Sequence, residues 1–174
     1  QVITVTIEEG VTTIGGGAFE HCDYLEEVNI ASTVKEIKWR AFSDADKLER
    51  IHFPAGVENI YSKAFYCCVG LKEITVDAEN KNYCAEDGVL FNIDKTELIA
   101  YPANKADTIY VIPESVDVIG DYAFNYSKNL EEAVFPETMK DIGVEAFFYS
   151  ISFKNAKLSD GIKEIKDTSF GACS

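Results

Sequence analysis

The feature that most constrains this chain is a period of 23 residues. An Ala-Phe pair recurs at Ala18-Phe19, Ala41-Phe42, Ala64-Phe65, Ala123-Phe124 and Ala146-Phe147, and then as Ser169-Phe170. The spacings are 23, 23, 59, 23 and 23; since 59 is 23 plus 36, one unit carries 13 additional residues. Seven units follow, starting at Val2, Leu25, Leu48, Leu71, Asp107, Leu130 and Phe153. A coil of this length cannot bury its own apolar face, whereas like coils laid side by side bury a continuous ladder. The sequence therefore predicts one solenoid domain over 1–174.

Each unit repeats the same columns. Val5, Val28, Ile51, Ile74, Tyr110, Ala133 and Ala156 stand three residues after the start, and Ile7, Ile30, Phe53, Val76, Ile112, Phe135 and Leu158 two further on. Apolar-polar-apolar runs such as Val28-Asn29-Ile30 have period two, which reads as a short strand. Pro54, Pro113 and Pro136 close those strands, because proline lacks the ladder donor. Val11, Val34, Val57, Val116, Met139 and Ile162 then precede six isoleucines in one column, at 14, 37, 60, 119, 142 and 165. This second pair suits another short extended piece or a turn. The Ala-Phe segment looks more helix-like, so the expected class is α/β, rich in β. Three residues past each Phe stands a small residue: Cys22, Ala45, Cys68, Ser127, Ser150 or Cys173. The ladder predicts all these phenylalanines and isoleucines in one continuous core.

The fourth unit departs after Val76, with additional residues over about 77–106. Asp87-Gly88 is a turn signal. Val89-Leu90-Phe91 and Leu98-Ile99-Ala100-Tyr101 flank Asp94-Lys95-Thr96, which predicts a β-hairpin projecting from the stack.

The columns resemble the BspA-type leucine-rich repeat: a leading Leu, Val-x-Ile-Pro, Val-x-x-Ile-Gly, Ala-Phe and a late Cys. The unit from Leu48 through Ile51, Phe53-Pro54, Val57, Ile60 and Ala64-Phe65 to Cys68 carries the motif well. The resemblance covers Val2 to Ser174, and the segment with Glu86-Asp87-Gly88-Val89-Leu90-Phe91 and Leu98 to Pro102 is similar to a recurrent variant of that family. Asp107 replaces the leading Leu, Lys38 and Tyr61 replace the Gly, and Phe153 opens the last unit. The resemblance implies a secreted or surface-anchored bacterial protein, often from host-associated species, whose characterised relatives bind host proteins or other cells. The chain begins at Gln1, directly before Val2-Ile3-Thr4-Val5-Thr6-Ile7, with no leader pattern in view. It is expected to be a mature or trimmed ectodomain, part of a longer protein.

Sixteen Lys plus Arg against thirty Asp plus Glu leave a formal charge of −14. That field repels phosphate backbones and anionic headgroups, so neither nucleic acid nor a membrane surface is an expected partner. No run reaches the roughly 18 apolar residues of a membrane-spanning helix. Two histidines supply few general bases or metal ligands. Cys22, Cys68 and Cys173 fill a column shared with Ala and Ser, the behaviour of small buried residues. Cys67 and Cys84 lie outside it, and their pairing is open. No zinc spacing, phosphate loop, nucleophile elbow or H-E-x-x-H occurs, so no metal and no cofactor is expected. Gly15-Gly16-Gly17 lies at a repeat turn, and Asp77, Glu79, Glu86 and Asp87 lack the calcium-loop pattern. Glu26-Glu27 and Glu131-Glu132 recur at equivalent positions, as a solvated face would. Asn125-Tyr126-Ser127 matches a glycosylation sequon, but Ser127 belongs to a core column.

Surface is what remains. Thr6, Asn29, His52, Thr75, Val111, Val134 and Lys157 form one outward row along the first strands, with Glu27, Arg50, Glu73, Ile109 and Glu132 beside it. Trp39 and Tyr61 occupy neighbouring turns, next to Arg40 and Lys63. Exposed aromatics near Arg are enriched in binding hot spots, although a Trp packed along its own coil is equally ordinary. The candidate ligand surface is thus Asn29, His52, Thr75, Trp39, Tyr61, Arg40 and Arg50. The leading expectation is a non-enzymatic module that binds a protein or glycan. The alternatives are a structural spacer or a glycan hydrolase, the last requiring two carboxylates in a cleft about 5–10 Å apart.

Overall fold

The computed structural model describes residues 2–173. Each of its seven coils contributes a first short strand, and five of them a second. The first strands are β1 (Thr4–Thr6), β3 (Glu27–Asn29), β5 (Arg50–Phe53), β7 (Glu73–Val76), β11 (Ile109–Val111), β13 (Glu132–Val134) and β15 (Asn155–Lys157). The second strands are β2 (Thr13–Ile14), β4 (Glu36–Ile37), β6 (Asn59–Ile60), β12 (Val118–Ile119) and β14 (Asp141–Ile142). Like strands pair in parallel with a shift of one repeat: Val5 opposes Val28, Ile51 opposes Ile74, and Tyr110 opposes Ala133. In the second set Ile14 opposes Ile37, Ile37 opposes Ile60, and Ile119 opposes Ile142. The 23-residue period is therefore the strand register itself.

The expected α/β class is corrected. No helix occurs among the described residues, and the fold is a β-solenoid of about seven turns. Backbone handedness explains why the Ala-Phe segment stays non-helical. Two residues before each Phe the chain is left-handed at Arg40, Lys63, Tyr122, Glu145 and Thr168; two residues after, it is left-handed again at Asp44, Cys67, Tyr126, Tyr149 and Ala172. A right-handed helix cannot continue through such positions. Tight turns form instead, as where Ala45 N donates to Phe42 O. The Phe amides turn to the next coil: Phe42 N donates to Ala64 O and Phe124 N to Ala146 O.

The phenylalanines stack. Ring centroids of Phe19 and Phe42 lie 5.4 Å apart, those of Phe42 and Phe65 5.9 Å, and those of Phe124 and Phe147 4.6 Å, within 12° of parallel. The small column is chemically more specific than size alone. Cys68 Sγ donates to Phe42 O, Ser150 Oγ to Phe124 O and Cys173 Sγ to Phe147 O, so each ties its coil to the preceding one.

The core is not one ladder, contrary to expectation. It consists of two clusters, one around Phe42, Phe53, Leu71 and Ile74, the other around Phe91, Tyr101, Phe124 and Phe147. Phe19 and Phe170, near the two ends, are only half-buried, and Ile165 is 60% exposed. Phe65 and Ile60 are half-buried for a different reason, which lies in the fourth coil.

After β7, Asn80 takes the place of the valine column, 23 residues after Val57, and the chain leaves the regular path. Its side chain is 2% exposed. Nδ2 donates to Pro54 O and Val57 O, while Oδ1 accepts from Asn82 N and Tyr83 N. An antiparallel meander follows: β8 (Tyr83–Glu86), β9 (Val89–Asn92) and β10 (Glu97–Ala100). This segment does not project, as the sequence suggested. Val89, Leu90, Phe91 and Leu98 are fully buried, and β9 lies between β8 and β10 in a five-stranded sheet ordered β14-β12-β10-β9-β8. The turn at Gly88 is stitched to the first strands, its carbonyl accepting from Ile74 N.

Candidate functional site

The residues singled out from sequence fall on two separate strips. On the first strands, His52 and Thr75 are paired in register and share a hydrogen bond of 3.0 Å; Arg50 Nε donates to Glu73 Oε2 at 3.0 Å. Asn29 is exposed on β3, beside β5. Beyond the fourth coil, Val111, 66% exposed, and Val134 lie on the separate sheet β11-β13-β15, the β8-β9 turn being the neighbour of β7. In the turns, Trp39 is half-exposed and lies against its own neighbour, with the Arg40 guanidinium 5.1 Å from the ring centroid. Tyr61 is exposed too, with Lys38 Nζ 4.5 Å from its ring centroid and 3.3 Å from its hydroxyl. Trp39 and Tyr61 are thus each paired with a cation.

Arg40 is a structural cation. It contacts the Glu20 carboxylate and lies 3.6 Å from Asp44. Glu20, His21 and Asp44, whose ligating atoms fall within 4.8 Å of one another, are the one such trio among the described residues. Sequence reasoning did not find it, because the three come from adjacent coils. The guanidinium already supplies the positive charge that this trio attracts. The five cysteines are free thiols, and no bridge joins Cys67 to Cys84. Burial pushes the Cys67 thiol up to about 11 and raises Cys68 further. The sequon residue Asn125 is occupied internally: its Oδ1 accepts from Cys67 N and its Nδ2 donates to Tyr122 O.

The fourth coil creates a feature that no motif announces. Leu98 opposes Ile119 and takes the isoleucine place; Tyr101 N donates to Ala123 O, as Phe42 N does to Ala64 O. Tyr101 also stacks on Phe124, centroids 4.8 Å apart. Ala100-Tyr101 is therefore the Ala-Phe pair of this coil, set two residues closer to its strand than elsewhere. The turn that other coils fill with Lys38-Trp39-Arg40 or Tyr61-Ser62-Lys63 is missing. Ser127 Oγ, which should donate to the fourth coil's carbonyl, is buried without a partner.

The missing turn leaves a notch of about 580 Å³ between the third and fifth coils. Its lining includes Ile99, Ala100 and Phe65, with Tyr61 and Lys63 from the third coil and Asp121 and Tyr122 from the fifth. Coils two apart lie about 10 Å from each other. Across the gap, Tyr66 nevertheless meets Tyr122 and Tyr126 edge-on at 5.9 and 5.6 Å. Lys63 Nζ lies 4.2 Å from the Tyr122 centroid and 5.2 Å from that of Tyr66. Glu97 also lines the notch; burial, then the charge of Asp121, raises its pKa, and no hydrogen bond offsets that rise.

A family model described as the BspA type leucine-rich repeat region matches residues 1–107 and 103–174, in six copies. The chain belongs to that family. Among solved structures, a leucine-rich cell surface protein from Faecalibacterium prausnitzii is similar at 33% identity and a TM-score of 0.91, over 98% of this chain and 45% of that one. The pneumococcal vaccine antigen PcpA is similar at 28% identity and a TM-score of 0.88, over 92% of this chain and 40% of that one. A leucine-rich repeat protein from Eubacterium ventriosum shares the fold, with 24% identity and a TM-score of 0.65 over 98% of this chain. This chain thus spans less than half the length of the first two. Comparison with curated proteins gives no match. Family and neighbours together point to a surface repeat module. Within the BspA-type pattern, the notch marks the coil that has lost its turn.

Proposed function

We propose that this domain is a non-catalytic binding module of a secreted or cell-surface bacterial protein, recognising a host protein, another cell or a glycan. The observation that carries the reading is the outward row of the first strands. On a surface bearing a formal −14, Thr6, Asn29, His52 and Thr75 form an uncharged strip, and Val111 and Val134 add exposed apolar area on the separate sheet of the later coils. A partner gains by desolvating such a strip and loses by desolvating carboxylates it cannot pair. Stacked coils hold the row rigid, so binding orders few side chains.

The test is a screen of the whole chain against immobilised extracellular proteins and glycans, repeated with His52→Ala, Val111→Ser and Trp39→Ala. The expected result is a saturable partner whose affinity falls by more than about 1 kcal/mol in a strand-row variant. A partner indifferent to both strand-row substitutions sinks this choice of surface, and loss in Trp39→Ala alone moves it to the turn strip. Glu97 and Asp121 are two carboxylates of the notch without a lysine partner, and a hydrolytic reading would start from them. The non-catalytic reading expects no reducing ends released from any bound glycan. Release that Glu97→Gln abolishes would overturn it.

A further inference from the structure

We propose that the notch at the fourth coil is filled by main chain: a short stretch of a partner's polypeptide lies where this coil has lost its turn. The inference rests on the reading of the domain as a binding module and says what part of a partner it grips. The regular turns accept through their carbonyls from the coil before and donate through their amides to the coil after. Gly17 N, Phe19 N and His21 N donate to Trp39 O, Ala41 O and Ser43 O; Tyr122 N, Phe124 N and Tyr126 N donate to Val144 O, Ala146 O and Phe148 O. By the same repeat, the third coil's amides at Lys63, Phe65 and Cys67 face the notch. Cys67 N is met by a side chain, Asn125 Oδ1. Lys63 N and Phe65 N find no acceptor among the described residues. Among coils with a successor Phe65 stands alone in this, since Phe19, Phe42, Tyr101, Phe124 and Phe147 all donate to the next coil.

The fifth coil supplies the complement. Asp121 O and Asn125 O occupy the places of Trp39 O and Ser43 O yet accept nothing among the described residues, while Ala123 O between them is met by Tyr101 N. The notch thus has free amides on one wall and free carbonyls on the other, the groups that one absent turn would have paired. A charged ligand satisfies one wall only. An anion would pair with the amides and face Glu97 and the carbonyls; a cation would do the reverse. The side-chain lining carries donors and acceptors together, among them the Tyr61 and Ser62 hydroxyls, the Lys63 ammonium and Glu97, and so selects no one head group. Main chain is neutral and carries both kinds of group in a fixed order. Where a protein captures a peptide through its backbone, main-chain hydrogen bonds supply the affinity. The volume of about 580 Å³ lies within the range of ligand pockets, roughly 300–1,000 Å³. Stacked coils hold both walls in place, so these groups are aimed before a ligand arrives.

The whole chain, labelled with ¹⁵N, is titrated with acetyl-Tyr-Ser-Lys-Ala-amide, a copy of the third-coil turn over 61–64. A second probe is its ester analogue, in which oxygen replaces the lysine N–H and every side chain is kept. The expected result is saturable shifts at the Lys63 and Phe65 amides, with their hydrogen exchange slowed at least about tenfold, and about fivefold weaker binding of the ester. Inserting Ser-Lys between Ile99 and Ala100 rebuilds the missing turn within the chain. It should slow exchange of the same two amides without peptide and abolish the shifts. Ile99→Trp, from the notch lining, is the second variant and should weaken peptide binding by about tenfold through obstruction. No saturable shift at up to about 10 mM peptide overturns the proposal, as does equal binding of the ester or unchanged binding in both variants. Sodium acetate or N-acetylglucosamine saturating the same amides equally well overturns it too, by showing a site for anions or for sugars. A partner found in the screen that binds Ile99→Trp normally retires the notch alone. Peptide binding with no partner for the strand row retires the row instead.

Discussion

Asn80→Val is the sharpest test of how the fourth coil is held. The family column favours valine there, since Val34, Val57 and Val116 occupy it in other coils, so a column-based argument predicts a neutral or stabilising change. The structure predicts the opposite. Valine removes two donors that serve Pro54 O and Val57 O, and one acceptor that serves Asn82 N and Tyr83 N, at a side chain 2% exposed. Asn82 Nδ2, already 3.4 Å from Val57 O, can compensate at one carbonyl. Two or three buried groups are then left unpaired, at about 1–3 kcal/mol each, offset in part by the gain from burying valine. The net expectation is a loss of about 3–5 kcal/mol, the upper end for a single substitution. At about 2–4 °C per kcal/mol for a chain of this size, thermal unfolding followed by circular dichroism should move down by about 6–20 °C. An unchanged or higher melting temperature would refute the claim that hydrogen bonds at Asn80, rather than packing, set the exit from the coil.

Phe124→Ala should cost about 3–5 kcal/mol in urea unfolding, because its ring lies between Tyr101 and Phe147; Phe19→Ala, half-buried at one end, should cost clearly less. Glu97→Gln should raise the melting temperature at pH 7. The native pKa of this carboxyl lies above the unfolded one, so its contribution to stability is greatest in acid and is lost as pH rises past about 4.5 towards the native value. The gain should vanish below about pH 4, and a gain independent of pH would point to packing instead. Chelator and reductant should leave the melting temperature unmoved: Arg40 supplies the cation of the Glu20-His21-Asp44 trio, and no disulfide joins the five thiols. A drop of many degrees with either would show a stabilising ion or bridge.

Much of the fold was legible because a solenoid repeats its own evidence. The isoleucine column predicted the parallel register Ile14-Ile37-Ile60, since residues one period apart must stack to be buried. The turn conformation was not legible: Ala-Phe flanked by Arg, Lys, Tyr or Glu carries helix formers, and only the left-handed backbone at those flanks shows that the coil turns instead. The fourth coil hid for two reasons. Its Ala100-Tyr101 pair is two residues early and aromatic in a different way, and Asn80 looks like a break in the valine column rather than its polar substitute. The notch is formed by residues that are missing, and no search for present motifs detects a deletion. The contact of Tyr66 with Tyr126 joins residues 60 apart, a separation foreign to the 23-residue period. The residues of the strand row are exposed but divided between separate sheets at the fourth coil, whereas Trp39 proved to be held by Arg40 on its own coil.

The division of the core changes how the molecule comes apart. In a stack of coils each unit is stabilised by its neighbours, so loss of order at one end spreads coil by coil until it meets a weak coupling. Here the phenylalanine ladder stops at Phe65 and resumes at Tyr101, and the apolar clusters on the two sides are separate. Fraying from either terminus would run to the fourth coil and halt there, leaving the other half folded. The irregular coil would then act as a fuse: damage by heat, shear or a protease on one side would be contained, and the three coils on the other would keep their own outward face.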